Sequence, residues 1–439
     1  VFLWCAGPGG SQRARVQASS AKRRWRGARR RAYSRVSEAP RASQKRLELP
    51  PLLADSRRIA IALTGLCAFI NLYATQPLLP LFTRDFDASP AEVSLSIGAT
   101  TLAVALGAPF VGMIADVLGR KRIIAGAMAL MVIPTAAIPL SGSIGELVFW
   151  RFVQGLLLPP IFAVTIAYIG DEWPTDEIAS ATAAYIAAGG VGGFLGRFLS
   201  GVIADHGGWR AAFWIYTGIT GLSALYVALA LPRERGFVRA DGLGHSARLA
   251  LGHLLNPPIL ATFVVGFAVL FSFVAAFTYV NFYLAAPPFE LSTSALGSIF
   301  VVYLLAVVVT PMTGRWAARV GRRALVMIAI AGWCAGLLIT LIPWLPAVLA
   351  GLAISSVSGF ACQATSTGLL AQRAAAARSS ALGLYVTFYY LGGSTGATAP
   401  AAIWARAGWP GCVVLVIVVL AVMAALVARF WRAEKPSHS

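Results

Sequence analysis

Charge is what this sequence lacks most: Asp, Glu, Lys and Arg make up 12% of its 439 residues, about half the ~25% of soluble proteins. A water-soluble globule of this size is thereby excluded. Acids are scarcest, 17 against 36 Lys and Arg, and from residue 258 onward only Glu290 and Glu434 remain. Histidine and cysteine offer no chemistry either. His206, His245, His253 and His438 do not cluster, and Cys5, Cys67, Cys334, Cys362 and Cys412 are scattered without a CxxC or Cys/His spacing. Metal sites, disulfide frameworks and Ser/His/Asp or Cys/His catalytic sets therefore have no footing, so no enzyme, metal or organic cofactor is expected. Beyond a basic head, no segment is long enough for a receptor's extramembrane domain, and nothing points to nucleic acid.

What is present is apolar. Hydrophobic residues make up 58% of the chain, and runs of about 20 of them, each enough to cross ~30 Å of hydrocarbon, recur from residue 59 onward. Twelve spans are expected: 58–80, 92–115, 123–141, 146–170, 178–204, 210–231, 258–285, 294–317, 324–343, 346–371, 380–403 and 410–430. A polar linker, 232–257, divides them into six-helix bundles at 57–231 and 258–431, with a tail at 432–439. Ahead of them, 1–56 is a basic extension, with 13 Lys and Arg against 3 acids in residues 1–55. It reads as a disordered cationic segment on anionic lipid, as an Arg-rich transit peptide, or, since no methionine precedes Met113, as sequence upstream of the translated start. With residue 57 in the cytoplasm, eighteen Lys and Arg fall inside and only Arg84, Arg210 and Arg406 outside. Both termini are thus expected to be cytoplasmic.

The two halves repeat. GMIADVLGRKR (112–122) matches GRWAARVGRRA (314–324) at an offset of 202, and Tyr185, Gly192, Gly193, Gly196, Gly208 and Trp209 match Tyr385, Gly392, Gly393, Gly396, Gly408 and Trp409 at an offset of 200. INLYATQP (70–77) aligns less firmly with VNFYLAAP (280–287). An even number of spans per repeat preserves orientation. The expected fold is therefore all-α: twelve membrane helices in two parallel-repeat bundles around a central cavity.

Three stretches carry chemistry. In the first, Gly112 permits close helix approach, Gly119 a tight turn, and Arg120 and Lys121 hold the loop at the membrane surface. Asp116 sits at the carboxyl end of span 2, where the helix dipole disfavours an anion. The amino end of span 11, Ser379 and Ser380, faces the same side with unpaired N–H groups, so Asp116 is expected to latch the halves together there. In the second, FWRFVQGLLLPP, Arg151 lies about six residues inside its helix, free to snorkel outward or to face the cavity with Gln154. In the third, GGVGGFLGRFLSGV, Gly189, Gly192, Gly193, Gly196 and Gly201 form a stripe that lets another helix approach, expected from the opposite half. Arg197 interrupts it, able either to snorkel or to turn toward the cavity of Arg151.

These stretches resemble motifs of the major facilitator superfamily. Its G-x-L-A-D-R-x-G-R-K/R loop stands here as Gly112, Ile114, Ala115, Asp116, Val117, Gly119, Arg120 and Lys121, with Val117 replacing a basic residue and Ala318 standing for the aspartate in the second copy. Its R-x-x-Q-G is Arg151, Gln154 and Gly155. The antiporter frame G-P-x-x-G-P-x-x-G-G fits residues 192–201, with Gly193 and Arg197 at the proline positions. NLYATQPLLP and GGFLGRFLSG are similar to the bacterial YnfM-type inner-membrane transport proteins, of the drug and metabolite proton-antiporter branch. The resemblance implies a secondary transporter working by alternating access as a monomer in the lipid bilayer, with the proton gradient as its energy source. Proton-coupled efflux of a small amphipathic molecule is the expected function, and an uptake permease for a small metabolite, such as a sugar or organic acid, is the alternative.

No carboxylate lies mid-span. Glu146 and Asp205, near the outer face, are the acids best placed to pair with Arg151 and Arg197. Span 7 is rich in aromatics, and Tyr73, Tyr185 and Tyr385 add to them. With Asn71, Gln76, Asn281 and Gln363 supplying hydrogen bonds, such a cavity suits amphipathic or planar apolar solutes.

Overall fold

The computed structural model describes residues 51–234, 254–373 and 378–431. Most of the basic extension, the linker and the tail fall outside these ranges. Among the described residues the structure is helical, without strands. The helices are α1 Pro51–Tyr73, α2 Leu79–Asp85, α3 Pro90–Leu118, α4 Arg120–Ala137, α5 Ile144–Glu172, α6 Ile178–Ala230, α7 Pro257–Ala285, α8 Thr293–Ser298, α9 Val302–Val320, α10 Arg322–Ile339, α11 Leu345–Arg373, α12 Arg378–Thr398 and α13 Ala401–Phe430. Nine candidate spans among the described residues are long and apolar enough to cross a membrane. The 53-residue α6 carries two of the expected spans, broken by non-helical backbone at Gly208, and helix lies under every other expected span.

Local chemistry sets the helix ends. Ser89 and Glu92 form a reciprocal capping box at α3, Ser89 N–H donating to Glu92 Oε2 at 2.8 Å and Glu92 N–H to Ser89 Oγ at 3.3 Å, which satisfies donors a helix leaves open. Ser143 caps α5 and Ser292 caps α8 by the serine hydroxyl alone, accepting from the N–H of Glu146 and of Ala295. Gly119 and Gly321 turn the chain at φ +91° and +83°, and Gly208 and Gly408 at +78° and +57°. An L side chain is strained there. These four glycines are the two pairs that the internal repeat aligns, so the repeat is one of backbone conformation as well as of sequence.

Both bundles lie in one unit, Leu53–Ser439. They meet along two antiparallel helix pairs, α3 with α12 and α6 with α8 and α9. Contact is concentrated away from the Gly119 and Gly321 turns. A Cβ placed on Gly98 would lie 3.0 Å from Thr398 Cγ2, and one on Gly393 3.4 Å from Thr101 Cγ2. Further along the same pair, a Cβ on Gly112 or Gly383 would meet nothing within 4 Å. The α6 pair behaves alike: Gly201 abuts the Thr293 carbonyl, and a Cβ on Gly297 would sit 2.7 Å from the Arg197 carbonyl oxygen. The contacts between the halves are closest toward the far face, which carries Asp205, rather than toward the basic face, which carries Arg120.

The glycine stripe faces a different helix from the one expected. A Cβ on Gly196 would lie 2.7 Å from the Ile70 carbonyl oxygen, Gly192 presses on Leu66, and Gly189 on the Phe69 ring, all on α1 of the same half. Gly392 and Gly396 repeat this against Phe267 and Phe271 of α7. Only Gly201 reaches the opposite bundle. Three- and four-residue spacing establishes that a small-residue face exists, but which neighbour that face meets depends on helix rotation.

Candidate translocation site

Helix α1 ends at Tyr73, where a 3-10 turn, Gln76–Leu78, begins around Pro77. Its last carbonyls have no helical partners, and Arg151 takes them. The guanidinium donates to Asn71 O at 2.5 Å, Leu72 O at 2.6 Å, Ser96 O at 3.1 Å and Gln154 Oε1 at 2.6 Å. Gln154 Nε2 donates in turn to Thr135 Oγ1 at 2.8 Å and Asn71 Oδ1 at 3.2 Å, and Asn71 Nδ2 to Thr220 Oγ1 at 3.1 Å. Arg151, Gln154, Thr135 and Ser96 are fully buried. Because residues i, i+3 and i+4 share a helix face, Gly155 lies beside this knot and packs directly on the Thr100 backbone. Arg151 neither snorkels nor reaches an open cavity: it clamps α1, α3 and α5 together through neutral acceptors.

Arg197 is built differently. Its helix runs from the basic face to the far face, and helical side chains tilt toward the amino end. The guanidinium therefore bends back toward the middle of the protein, donating to Gly193 O at 2.7 Å and to Gln76 Oε1 at 2.7 Å. Its carbon lies 3.9 Å from the Tyr73 ring centroid, 4.7 Å from Phe300 and 4.9 Å from Tyr303. Tyr73 and Gln76 belong to the first bundle, Phe300 and Tyr303 to the second. Gln76 also spans the halves, donating to Thr278 Oγ1 at 3.4 Å. Arg197 is 2% exposed and is held by residues of both bundles. From Tyr73 a file of stacked rings continues through Phe69 and Phe162, 6.4 and 6.3 Å apart, to Tyr390 of the second bundle at 5.9 Å.

The other candidates are distributed more widely. Tyr185 and Tyr385 are buried in helix joints, against Gly65 and Gly266, with hydroxyls on Phe162 O and Ser366 Oγ. Asn281 is fully buried, donating to Phe277 O at 2.6 Å while its Oδ1 finds no partner. Gln363 is half-buried. Glu146 and Asp205 do not pair with either buried arginine. Glu146 accepts from Gly142 N–H at 2.8 Å. Asp205 accepts from Thr293 N–H at 3.1 Å and Ser294 N–H at 2.8 Å, closing the far face across the two bundles. Each carboxylate sits beside open backbone donors at a helix start, and those donors hold it.

On the basic face Arg120 pairs with Asp171 and donates to Ala167 O at 2.6 Å. Lys121 N–H donates to Glu234 Oε1 at 2.7 Å, and Glu234 also lies over Gly119. The start of the linker thereby caps α4. The side chains of Asp116, Ser379 and Ser380 lie outside the described residues, and the expected latch with them. Sequence reasoning missed Phe300, Tyr303 and Glu234, whose roles arise from contacts between distant segments. An apolar span holding a tyrosine gives no sign of the arginine it will meet.

Two helical bundles related by a parallel repeat, packed most closely toward one face and sharing a buried site at mid-depth, define a multi-pass membrane transporter fold. Comparison with known proteins gives the family: the Major Facilitator Superfamily model matches residues 61–302 and 273–439, and the chain belongs to that superfamily. It is 30% identical over 381 residues to the inner membrane transport protein YnfM of Escherichia coli, covering 85% of this chain and 91% of that one. It is 26% identical over 207 residues to the tetracenomycin C resistance and export protein of Streptomyces glaucescens, 47% of this chain and 37% of that one. Among solved structures, an inward-facing, occupied bacterial homologue of the human lysosomal transporter Spinster aligns with a TM-score of 0.69 at 17% identity, over 86% of this chain and 96% of that one.

Proposed function

We propose that the protein exports a small amphipathic molecule across the cell's inner membrane by alternating access, as a monomer driven by the proton gradient. The basic face is cytoplasmic in this reading, as are both termini, and the structure is the inward-facing state. One observation carries the reading: a buried locus, Arg197 with Gln76, Tyr73, Phe300 and Tyr303, is assembled from both bundles. A rocking motion of one bundle against the other exposes such a locus first to one face and then to the other. Aromatic surface with few polar groups suits a solute that is itself part apolar. The partial likeness to an export protein and the antiporter-like frame at residues 192–201 favour the outward direction.

The test is reconstitution into proteoliposomes with an imposed pH gradient and a panel of fluorescent amphipathic dyes. Dye movement that follows the gradient and stops when a protonophore collapses it is expected. Flux unchanged by collapse would refute proton coupling, and accumulation in the opposite sense would favour the uptake reading.

A further inference from the structure

Every buried ionisable group that carries a full charge at neutral pH is an arginine: among the described residues, Arg57, Arg151 and Arg197 are buried and no Asp or Glu is. Arg57 lies near the basic face, donating to Glu172 O at 2.6 Å with its guanidinium 3.7 Å over the Trp173 ring. Arg151 makes four hydrogen bonds to backbone and amide oxygens. Arg197 is the one at the junction of the bundles, and its partners, Gln76 Oε1, Gly193 O and the Tyr73 side chain, are all neutral. A guanidinium at mid-depth without a counter-charge costs several kcal/mol of desolvation, and aromatic faces recover only part of it.

Cation–π contact alone does not explain the arrangement. Gln76 orients the guanidinium edge, Tyr73 and Tyr303 are only half-buried, and the file of rings from Tyr73 to Tyr390 leads away from the charge. The rings offer an apolar surface that runs up to Arg197 from both bundles.

We propose that the transported molecule is an organic acid, an anion on a planar or apolar body, whose carboxylate or sulfonate pairs with the Arg197 guanidinium between Gln76, Tyr73 and Tyr303. This rests on the transporter reading above and gives its substrate class. The anion supplies the missing counter-charge, and Arg197 joins it by charge-assisted hydrogen bonds with little competition from water. Cationic amphiphiles are rejected by the same charge. Arg197 is the specificity-determining contact, and the rings hold the body without reading its detail.

The test uses purified full-length protein in detergent, followed by thermal unfolding, with 2-naphthoate, indole-3-acetate and decanoate, each beside its amide and its amine. At least one acid is expected to raise the midpoint, with apparent affinity about tenfold above that of its amide and no shift from its amine. Arg197→Gln should erase the acid's advantage, and Arg197→Lys should keep the preference while weakening it. Tyr303→Phe keeps the ring and removes only the hydroxyl. It should lower acid affinity without touching the amide's, and it decides the matter with Arg197→Lys if Arg197→Gln does not fold. No shift from any acid, a preference for amines, or an acid preference surviving in Arg197→Gln would overturn the proposal. An amine pumped by the pH gradient would leave the export reading standing and end this one. Acid binding without gradient-driven flux would do the reverse.

Discussion

Arg151 offers a sharp separation between a structural and a transport role. Replacing it with Ala removes four hydrogen bonds and orphans the carbonyls of Asn71 and Leu72, while Ser96 O keeps the Thr100 hydroxyl, in a place where Arg151 itself is fully buried. Each orphaned group costs about 1–3 kcal/mol, and relief from burying the guanidinium offsets part of the sum. A net loss of roughly 3 kcal/mol is expected. Arg151→Lys keeps the charge but not the fork, and should lose about half of that. The assay is thermal unfolding in detergent beside proteoliposome flux. Stability and flux should fall together, in the order Lys then Ala, and flux per folded molecule should fall less than the stability does. An Arg151→Ala protein that melts like wild type yet carries no substrate would refute the clamp and return Arg151 to the coupling machinery.

Three further outcomes follow from the packing. Gly192→Ala and Gly196→Ala each drive a Cβ into the α1 backbone and should cost about 1–3 kcal/mol by thermal unfolding, whereas Gly112→Ala, with nothing within 4 Å, should melt as wild type does. Asp205→Ala removes two amide-to-carboxylate bonds at an exposed site, worth about 1 kcal/mol after screening. It should raise the outward-open population about fivefold, read as faster labelling of Ser298→Cys by an impermeant maleimide applied at the far face. Glu234→Ala uncaps α4 and should speed hydrogen exchange in the first turn after Gly119 by about fivefold, at a cost near 1 kcal/mol, with the rest of the bundle unchanged.

Much of the architecture was legible because membrane helices announce themselves locally. Apolar runs marked the spans, and the offsets of 202 and 200 placed Gly119 with Gly321 and Gly208 with Gly408, whose positive φ values the structure shares pair by pair. The direction of Arg197 was legible in principle, since side chains lean toward the amino end of a helix and that end lies at the basic face. What it leans toward was not. Phe300 and Tyr303 lie about a hundred residues away on the other bundle, and no periodicity in either segment records their meeting. The stripe from Gly189 to Gly201 likewise showed a close-packing face but not its partner, because helix rotation is set by the whole bundle. Glu146 and Asp205 looked like counter-charges for Arg151 and Arg197 by depth alone. Nearby backbone N–H groups outcompeted the arginines for both carboxylates.

The central claim is that the two bundles rock about the Arg197 locus, and distances between spin labels in lipid test it most directly. One label pair belongs at positions 98 and 398, in contact at the far face, and another at 112 and 383, toward the basic face, where a Cβ at either position meets nothing within 4 Å. With an acid substrate and a pH gradient, the account predicts that the first distance lengthens as the second shortens, and that Arg197→Gln abolishes the response to the acid. Distances that stay fixed, or that lengthen together, would contradict it.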